Sequence, residues 1–300
     1  MSRPRFGHVI TAMVTPFASD GALDAKAARR LAGHLVDHGS EGLVVCGTTG
    51  ESPTLSHAEK LEMFEAVLDE VGDRATVIAG TGTYDTRESV ALTKEACDLG
   101  VDACLVVTPY YSKPPQEGLL AHFRAVADAS SKPLMLYDIP GRTGRRIERW
   151  TTLALADHER IVAVKDAVGD AGETASLRFE LDATGHEDFE IYSGDDPLLL
   201  PHLAAGAVGI VSVCSHLVGE RIAQVFEHWT AGRVDEARAL YLRLLPFMRM
   251  VMTMTASPIP VKAAVNMLGL EAGEPRLPLV PLGPDESDEL HRALEAQGLL

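Results

Sequence analysis

The stretch Ile161-Val162-Ala163-Val164-Lys165-Asp166 is an apolar run that ends abruptly in a lysine. A short aliphatic run bounded by charge predicts a buried parallel strand, and α/β folds place their chemistry at the carboxyl ends of such strands. Lys165 therefore has two interpretations. It is either a strand-end charge that extends to water, the commoner fate of such residues, or a desolvated amine with a lowered pKa that attacks carbonyl carbon.

Seven further apolar runs alternate with longer segments of helical periodicity. The predicted strands are Val9–Val14, Gly42–Cys46, Thr76–Ala79, Ala103–Val107, Leu134–Tyr137, Ile161–Val164, Phe189–Tyr192 and Gly209–Val213. The predicted helices between them include Ala25–Asp37, Ser56–Val71, Thr86–Leu99 and Gln116–Ala129. Eight strand–helix repeats predict an α/β fold in which a parallel sheet closes into a (β/α)8 TIM barrel. Ser56, with Glu59 three residues later, has the form of a capping box and predicts a helix start.

The structural alternative is an open, doubly wound parallel sheet. Such a sheet would be expected to carry a glycine-rich dinucleotide loop after an early strand. Neither Gly47-Thr48-Thr49-Gly50 nor Gly80-Thr81-Gly82-Thr83 has the required G-x-G-x-x-G spacing, so the barrel is preferred.

The strand–helix alternation stops after Gly232. Beyond it, the apolar spacing predicts only helices, over Val234–Met252, Pro260–Leu268 and Asp285–Ala296. We therefore predict a catalytic barrel over residues 1–232 and a C-terminal helical appendage over residues 233–300.

Composition excludes several classes of partner. The 300 residues carry a formal net charge of −16 and no basic block, which argues against nucleic acid and acidic membranes as partners. No signal peptide and no run of roughly 18 apolar residues is present, so we expect an untargeted cytoplasmic protein that acts on small molecules. The cysteines lie far apart without metal-site spacing and are expected to be reduced core residues. They are Cys46, Cys97, Cys104 and Cys214.

In a barrel, the residues that follow each strand converge on one pocket. They are Thr15, Gly47–Glu51, Thr108–Tyr111, Tyr137–Gly144, Lys165 and Ser193–Asp196. This set contains hydroxyls, phenols, one arginine and one lysine, but no cluster of carboxylates and histidines, so no metal site is predicted. His34 and His38 are spaced as metal ligands, but they are predicted on an outer helix that faces away from the pocket.

The pocket residues also have alternative interpretations. The Gly47–Glu51 stretch is suited to binding a carboxylate or phosphate, or it is an ordinary strand-to-helix turn. Tyr111 and Tyr137 are either core aromatics or proton-transfer groups beside the lysine. Arg142 is either a surface charge or a fork-shaped cation that binds a carboxylate.

Several motifs together resemble the dihydrodipicolinate synthase family of Schiff-base class I aldolases. They are Gly47–Glu51, Tyr110-Tyr111, Tyr137–Gly144, Val164-Lys165, Ser193–Asp196, Pro258–Lys262 and Arg276–Pro278. The resemblance implies a (β/α)8 lyase that condenses pyruvate with L-aspartate-4-semialdehyde, toward diaminopimelate and lysine, without an external cofactor. It also implies a homotetramer built as a dimer of dimers.

The resemblance implies a role for each matching residue. Lys165 would form the imine, Tyr137 would shuttle protons, Thr48 would relay them, and Tyr111 would complete the relay in a neighbouring subunit. Thr49 would bind the carboxylate of pyruvate and Arg142 that of the aldehyde. Gly194 and Val211 would supply backbone and wall around the lysine.

Two alternatives to the synthase remain. Relatives such as N-acetylneuraminate lyase and ketodeoxygluconate aldolase differ at the threonine pair and lack an arginine like Arg142, so Thr48-Thr49 with Arg142 favours the synthase. A non-catalytic 2-oxo-acid sensor would keep the pocket without turnover. Asp138 and Gly141 depart from the Asn and Ser of many members, in the loop that carries Arg142.

The family's lysine-feedback site would be formed here by Ser52, His57, Lys60, Tyr84, Glu88 and Tyr110. Feedback-sensitive bacterial members that resemble this chain have a histidine in place of Lys60 and an asparagine in place of Tyr84. Because an added cation repels a cationic ligand, we predict weak or absent inhibition by L-lysine.

Overall fold

The computed structural model describes residues 3–300, and over them eight parallel strands close into a barrel in chain order. The strands are Val9–Ala12 (β1), Gly42–Val45 (β2), Thr76–Gly80 (β3), Ala103–Val107 (β4), Leu134–Asp138 (β5), Ile161–Asp166 (β6), Glu190–Ser193 (β7) and Gly209–Ser212 (β8). Parallel pairing of β1 with β8 closes the sheet, which confirms the predicted TIM barrel and excludes the open sheet.

The carboxyl end of β6 lies beyond its predicted position because of the pairing with β5. β6 continues through Lys165 and Asp166, which pair with Tyr137 and Asp138 on β5. The predicted end at Val164 was therefore two residues early. The prediction ended the strand at the first charged residue. In the structure, backbone hydrogen bonds to the neighbouring strand continue beyond that residue.

Helices surround the barrel and extend beyond it. They are Ala25–Asp37 (α1), His57–Val71 (α2), Thr86–Leu99 (α3), Gln116–Ala129 (α4), Pro140–Thr143 (α5), Arg149–Ala156 (α6), Ala171–Ala183 (α7), Leu199–Ala204 (α8), Ser215–Thr230 (α9), Val234–Thr253 (α10), Ile259–Met267 (α11) and Pro284–Ala296 (α12). The Ser56 side chain accepts from the Glu59 N–H and the Glu59 carboxylate accepts from the Ser56 N–H. This reciprocal pair confirms the capping box that begins α2.

The core has two layers. Inside the barrel lies a compact cluster that includes Phe6, Ile10, Ile78, Met135 and Tyr192. A larger layer of aliphatic and aromatic side chains fills the space between the strands and the helices. The packed interior leaves the carboxyl ends of the strands as the place for a site. All four cysteines are buried and free, as predicted.

The C-terminal helices pack back onto the barrel. α10 lies against α9, and the segment after α11 reaches the β1–α1 connection, where Phe17 N–H donates to the Ala272 carbonyl at 3.0 Å. The three helices lie within one or two residues of their predicted bounds, whereas the domain division at Gly232 stays a prediction. None of the helices in residues 3–300 is long and apolar enough to cross a membrane.

Candidate active site

Lys165 is buried in the barrel rather than directed to water. Its side chain is 4% exposed, and its Nζ lies 4.2 Å from the centroid of the Tyr137 ring. Tyr137 is its register partner on β5, so the strand pairing itself brings the amine and the phenol together. The interpretation of Lys165 as a solvated strand-end charge is therefore wrong.

A cavity of about 200 Å³ opens at the carboxyl ends of β2 to β5. Among its lining residues are Gly47, Thr48, Ser52, Leu105, Tyr110, Tyr137, Ile139, Arg142 and Thr143. Lys165 and Thr49 do not line it; Thr49 is buried, and Lys165 is connected to the cavity through its contact with Tyr137. The structure thus brings Thr48, Tyr137 and Arg142 to one space, with Lys165 beside it.

The site loop, Gly47–Gly50, carries Thr48 and Thr49 and is flanked on both sides by unusual backbone. Cys46 and Glu51 both have positive φ, at 55° and 56°, a conformation that non-glycine residues seldom adopt. Such backbone persists where the surroundings over-determine it, commonly at ligand sites. This favours the ligand-binding interpretation of the Gly47–Glu51 stretch over that of an ordinary turn.

Arg142 lies in the short helix α5 and is exposed at the cavity mouth. Its Nη2 donates to the carbonyl oxygen of Ser257 at 3.3 Å, so the C-terminal region orients the guanidinium. The other donors of the guanidinium have no protein acceptor in residues 3–300. They are available for a bidentate contact with a carboxylate.

Gly194 stands where no side chain fits. Its N–H donates to the Asp166 carbonyl at 2.6 Å, and a Cβ added here would lie 2.8 Å from Ala167 Cβ and 3.1 Å from Lys165 Cε. Val211 is buried in the inner cluster that also contains Tyr137. Both residues therefore help to shape the surroundings of the lysine.

Tyr111 does not line the cavity of its own chain. Its side chain is 93% exposed and its φ is 70°, so the backbone turns the ring outward. Tyr110 lines the cavity instead, and its ring packs edge-on against Tyr84 at 5.2 Å. The role of Tyr111 in a neighbouring subunit stays a prediction.

The predicted allosteric residues lie at the cavity and on α2 and α3, with Tyr84 packed against the cavity-lining Tyr110. Ser52 and Tyr110 line the cavity, whereas His57 and Lys60 lie on α2 and Glu88 on α3. Lys60 is only 5% exposed, and its charge acts on Cys46, the residue before Gly47. Tyr84 is 59% exposed, and Glu88 accepts a 3.5 Å hydrogen bond from the Thr83 hydroxyl.

Lys262 and Glu51 form a buried ion pair at the end of the site loop, and the motifs that contain these residues did not predict it. Lys262 Nζ donates to Glu51 Oε1 at 2.7 Å, and the Arg276 N–H donates to Glu51 Oε2 at 2.9 Å. Lys262 Nζ also lies 4.0 Å from the centroid of the Phe17 ring, and desolvation lowers the pKa of this lysine. The signal in the sequence was a lone lysine within the apolar segment Ile259–Val265.

Asp196 was also assigned no role. It is 1% exposed and accepts hydrogen bonds from the Ser212 hydroxyl and from the Val213 N–H, the latter at 2.9 Å. Burial raises the pKa of Asp196, and the nearby charge of Lys165 opposes that rise. Asp196 therefore joins the ends of β7 and β8 beside the lysine. The aspartate pair 195–196 marked the position in the sequence without indicating this contact.

His34 and His38 lie on the outer helix α1, where their rings stack with centroids 4.0 Å apart. The ring nitrogen Nδ1 of His38 is 2.7 Å from the His34 carbonyl oxygen. Across residues 3–300, no three His, Cys, Asp or Glu side chains form a group that could hold a metal ion.

The chain is similar to dihydrodipicolinate synthases along nearly its whole length. The sequence model of the dihydrodipicolinate synthetase family matches residues 5–297. The chain is 50% identical to a 4-hydroxy-tetrahydrodipicolinate synthase of Moorella thermoacetica over 99% of this chain and 100% of that protein.

Two solved structures resemble the fold closely. A DHDPS from Cyanidioschyzon merolae with lysine bound superposes with a TM-score of 0.95 at 42% identity, covering 99% of this chain and 100% of that one. A chloride-inhibited dihydrodipicolinate synthase from Acinetobacter baumannii complexed with pyruvate superposes with a TM-score of 0.93 at 37% identity, covering 98% and 100%.

Proposed function

Because the chain belongs to the dihydrodipicolinate synthetase family, we propose that it is a 4-hydroxy-tetrahydrodipicolinate synthase. It condenses pyruvate with L-aspartate-4-semialdehyde through an imine on Lys165. The observation that carries the proposal is the buried Lys165 amine, 4.2 Å from the centroid of the Tyr137 ring. No other lysine of residues 3–300 combines burial with a tyrosine neighbour at the carboxyl ends of the strands.

The first step forms the imine. The neutral amine of Lys165 attacks the carbonyl carbon of pyruvate, and loss of water gives the protonated imine. Tyr137 moves protons to and from the departing oxygen, and Thr48 links Tyr137 to Tyr111 of the neighbouring subunit. The buried threonine Thr49 binds the carboxylate of pyruvate.

The second step forms the carbon–carbon bond. The imine nitrogen acts as an electron sink, so a methyl proton leaves and an enamine results. The enamine carbon adds to the aldehyde carbon, whose oxygen takes up a proton to become a hydroxyl. The substrate's own amine then displaces Lys165 as the ring closes, so that one water is released overall and Lys165 returns to its starting state.

Specificity rests on Arg142. Its guanidinium lies at the cavity mouth and has free donors for the carboxylate of the aldehyde substrate. The sugar aldehyde that a sugar-acid lyase combines with pyruvate has hydroxyls along its chain in place of this carboxylate and amine. Arg142 therefore favours the synthase over a sugar-acid lyase, and assays with both aldehyde classes distinguish the two.

We further infer a homotetramer in which Tyr111 enters the site of a neighbouring subunit. The support is its position, since a phenol that is 93% exposed and lines no part of the cavity of its own chain would reach reacting groups only in a neighbouring subunit. Sedimentation together with a Tyr111→Phe variant tests this arrangement. We expect the variant to assemble normally while its kcat falls.

The central experiment is reduction with borohydride in the presence of pyruvate, followed by peptide mapping. We expect the adduct on Lys165 and not on Lys60 or Lys262, the other two buried lysines of residues 3–300. Lys165→Ala should lose both the adduct and turnover, whereas Lys26→Ala, an exposed change on α1, should keep both. The absence of an adduct on Lys165 would favour the 2-oxo-acid sensor, and full turnover by Lys165→Ala would exclude the mechanism.

A further inference from the structure

A second, much smaller cavity lies on the helix side of the Tyr137–Lys165 pair, between β5, β6, α6 and α7. Its volume is about 20 Å³. Its polar lining consists of Asp138, Arg146, Arg149, Thr152, Asp166 and Glu173. A single water needs roughly 10–15 Å³ on the same measure together with two or more polar partners, so the cavity has room for one water molecule.

Two buried polar atoms of this lining have no hydrogen-bond partner in residues 3–300. One is the acceptor Asp138 Oδ1, on a residue that is 5% exposed, and the other is the donor Arg146 Nε. Buried donors and acceptors are almost always paired, either with protein or with ordered water. An unpaired acceptor and an unpaired donor on one water-sized cavity therefore point to a bound water between them.

Arg146 is held in place by its other contacts. Its Nη2 donates to Glu173 Oε2 at 2.9 Å, and its carbonyl oxygen accepts from Gln116 Nε2 at 3.0 Å. Because both the head and the backbone of Arg146 are fixed, its Nε cannot readily turn to solvent to find another acceptor.

Asp138 and Arg146 are the two ends of the loop that carries Arg142. Asp138 is the last residue of β5, and the chain passes through α5 before it reaches Arg146. The backbone N–H of Ile147 also interacts with the Asp138 carboxyl group. One carboxylate thus contacts the far end of the loop directly, and through the cavity it would contact Arg146 as well.

We propose that Asp138 and Arg146 bind one water molecule in this cavity and so close the base of the Arg142 loop. Asp138 is then a positioning residue, which acts on the aldehyde substrate through Arg142 without touching it. The inference rests on the proposed function, because the role of Arg142 belongs to that proposal.

The charges around Asp138 make this clamp sensitive to pH. They are Arg146 and Arg149 on the loop and on α6, Asp166 on β6, Glu148 before α6 and Glu173 on α7. Burial raises the pKa of Asp138 to about 7, with Asp166 adding to the rise and Arg146 opposing it. As pH falls through 7, Asp138 takes up a proton and loses the charge that holds the water and Arg146.

The test is the Asp138→Asn variant, whose side chain has the same shape and stays neutral at every pH. For the wild type we expect the KM for the aldehyde to rise about threefold or more from pH 8 to pH 6. The variant should show the raised KM already at pH 8 and little further change. Its KM for pyruvate and its borohydride adduct on Lys165 should match the wild type, because neither depends on Arg142.

Glu117→Gln on α4 is the control, since it removes an exposed carboxylate that no hydrogen bond in residues 3–300 uses and that is not among the charges acting on Asp138. It should keep the wild-type pH profile. Arg146→Gln should raise the aldehyde KM as Asp138→Asn does, and a crystal structure should show a water joining Asp138 Oδ1 to Arg146 Nε. A wild-type aldehyde KM and pH profile in Asp138→Asn would overturn the inference. Failure of the wild type itself to form the pyruvate adduct would instead overturn the proposed function.

Discussion

Lys262 and Glu51 form an ion pair at 2.7 Å with side chains that are 0% and 1% exposed. The pair joins α11, from the C-terminal helices, to the end of the loop that carries Thr48 and Thr49. Taking two charges out of water is costly, and the attraction between them compensates only when both partners are present. The C-terminal helices are thus connected to the candidate active site by an ion pair, and removal of either partner alone would destabilise the protein.

We expect Glu51→Gln to destabilise the protein by about 3–5 kcal/mol, because it leaves the Lys262 ammonium buried without a counter-charge. Turnover should fall as well, since Glu51 also fixes the Arg276 backbone beneath the site loop. Denaturant unfolding with and without Lys262→Met measures the effect. The double variant should be more stable than Glu51→Gln alone, and simple additivity of the two losses would contradict this account.

Gly194→Ala should impair imine formation without unfolding the barrel. The added methyl would lie 3.1 Å from Lys165 Cε and 2.8 Å from Ala167 Cβ, so the lysine side chain must move. A displacement of the reacting amine by about 1 Å can reduce the rate by on the order of 100-fold. The rate of borohydride trapping with pyruvate reports the loss directly.

The control for that variant is Gly118→Ala on α4, where the nearest atom would lie 3.4 Å away, an ordinary contact. It should trap pyruvate at the wild-type rate. Equal trapping by Gly194→Ala would show that Lys165 does not need the space that glycine leaves.

Much of the fold could be predicted from the sequence, because local patterns determine it. The periodicity predicted the observed bounds of α3 and α4. Ser56 and Glu59, three residues apart, predicted the start of α2 through their capping box. The end of β6 was misplaced, since the pairing with β5 that extends it is made by residues distant in the chain.

Some residues of the candidate site could likewise be predicted from local patterns, whereas contacts between residues distant in the chain could not. Lys165 and Tyr137 lie at the carboxyl ends of β6 and β5, and Thr48 and Arg142 follow β2 and β5, so the barrel rule alone brings them to one end of the molecule. The Glu51–Lys262 pair joins residues 211 positions apart, and no periodicity encodes such a contact. Tyr111 is a different case, since its side chain is 93% exposed and its proposed role needs a second chain, whose position one sequence does not describe.

L-lysine should inhibit the enzyme weakly or not at all. The Lys60 ammonium is held inside the protein at 5% exposure, next to the site where the resemblance places a cationic ligand, and like charges repel more strongly where water is excluded. Calorimetry at neutral pH should detect no tight binding by the wild type. A Lys60→His, Tyr84→Asn double variant should bind lysine at least about tenfold more tightly, which is roughly 1.4 kcal/mol. Tight binding by the wild type would contradict the assignment of Lys60.

Asp138→Asn should stabilise the protein, and more so at higher pH. The carboxyl group has an ordinary pKa of 3.8 and a pKa of about 7 in the fold, where burial is the main cause. Between these values the folded state binds more protons than the unfolded state, so wild-type stability falls as pH rises toward 7 and is constant above it. At roughly 1.4 kcal/mol for each pKa unit, the variant should gain up to about 3 kcal/mol on the wild type between pH 5 and pH 8. Urea unfolding of both proteins at these two pH values measures the gain. A difference in unfolding free energy that does not change with pH would show that Asp138 is already ionised at pH 5, and the pH dependence expected for the Arg142 loop would be lost with it.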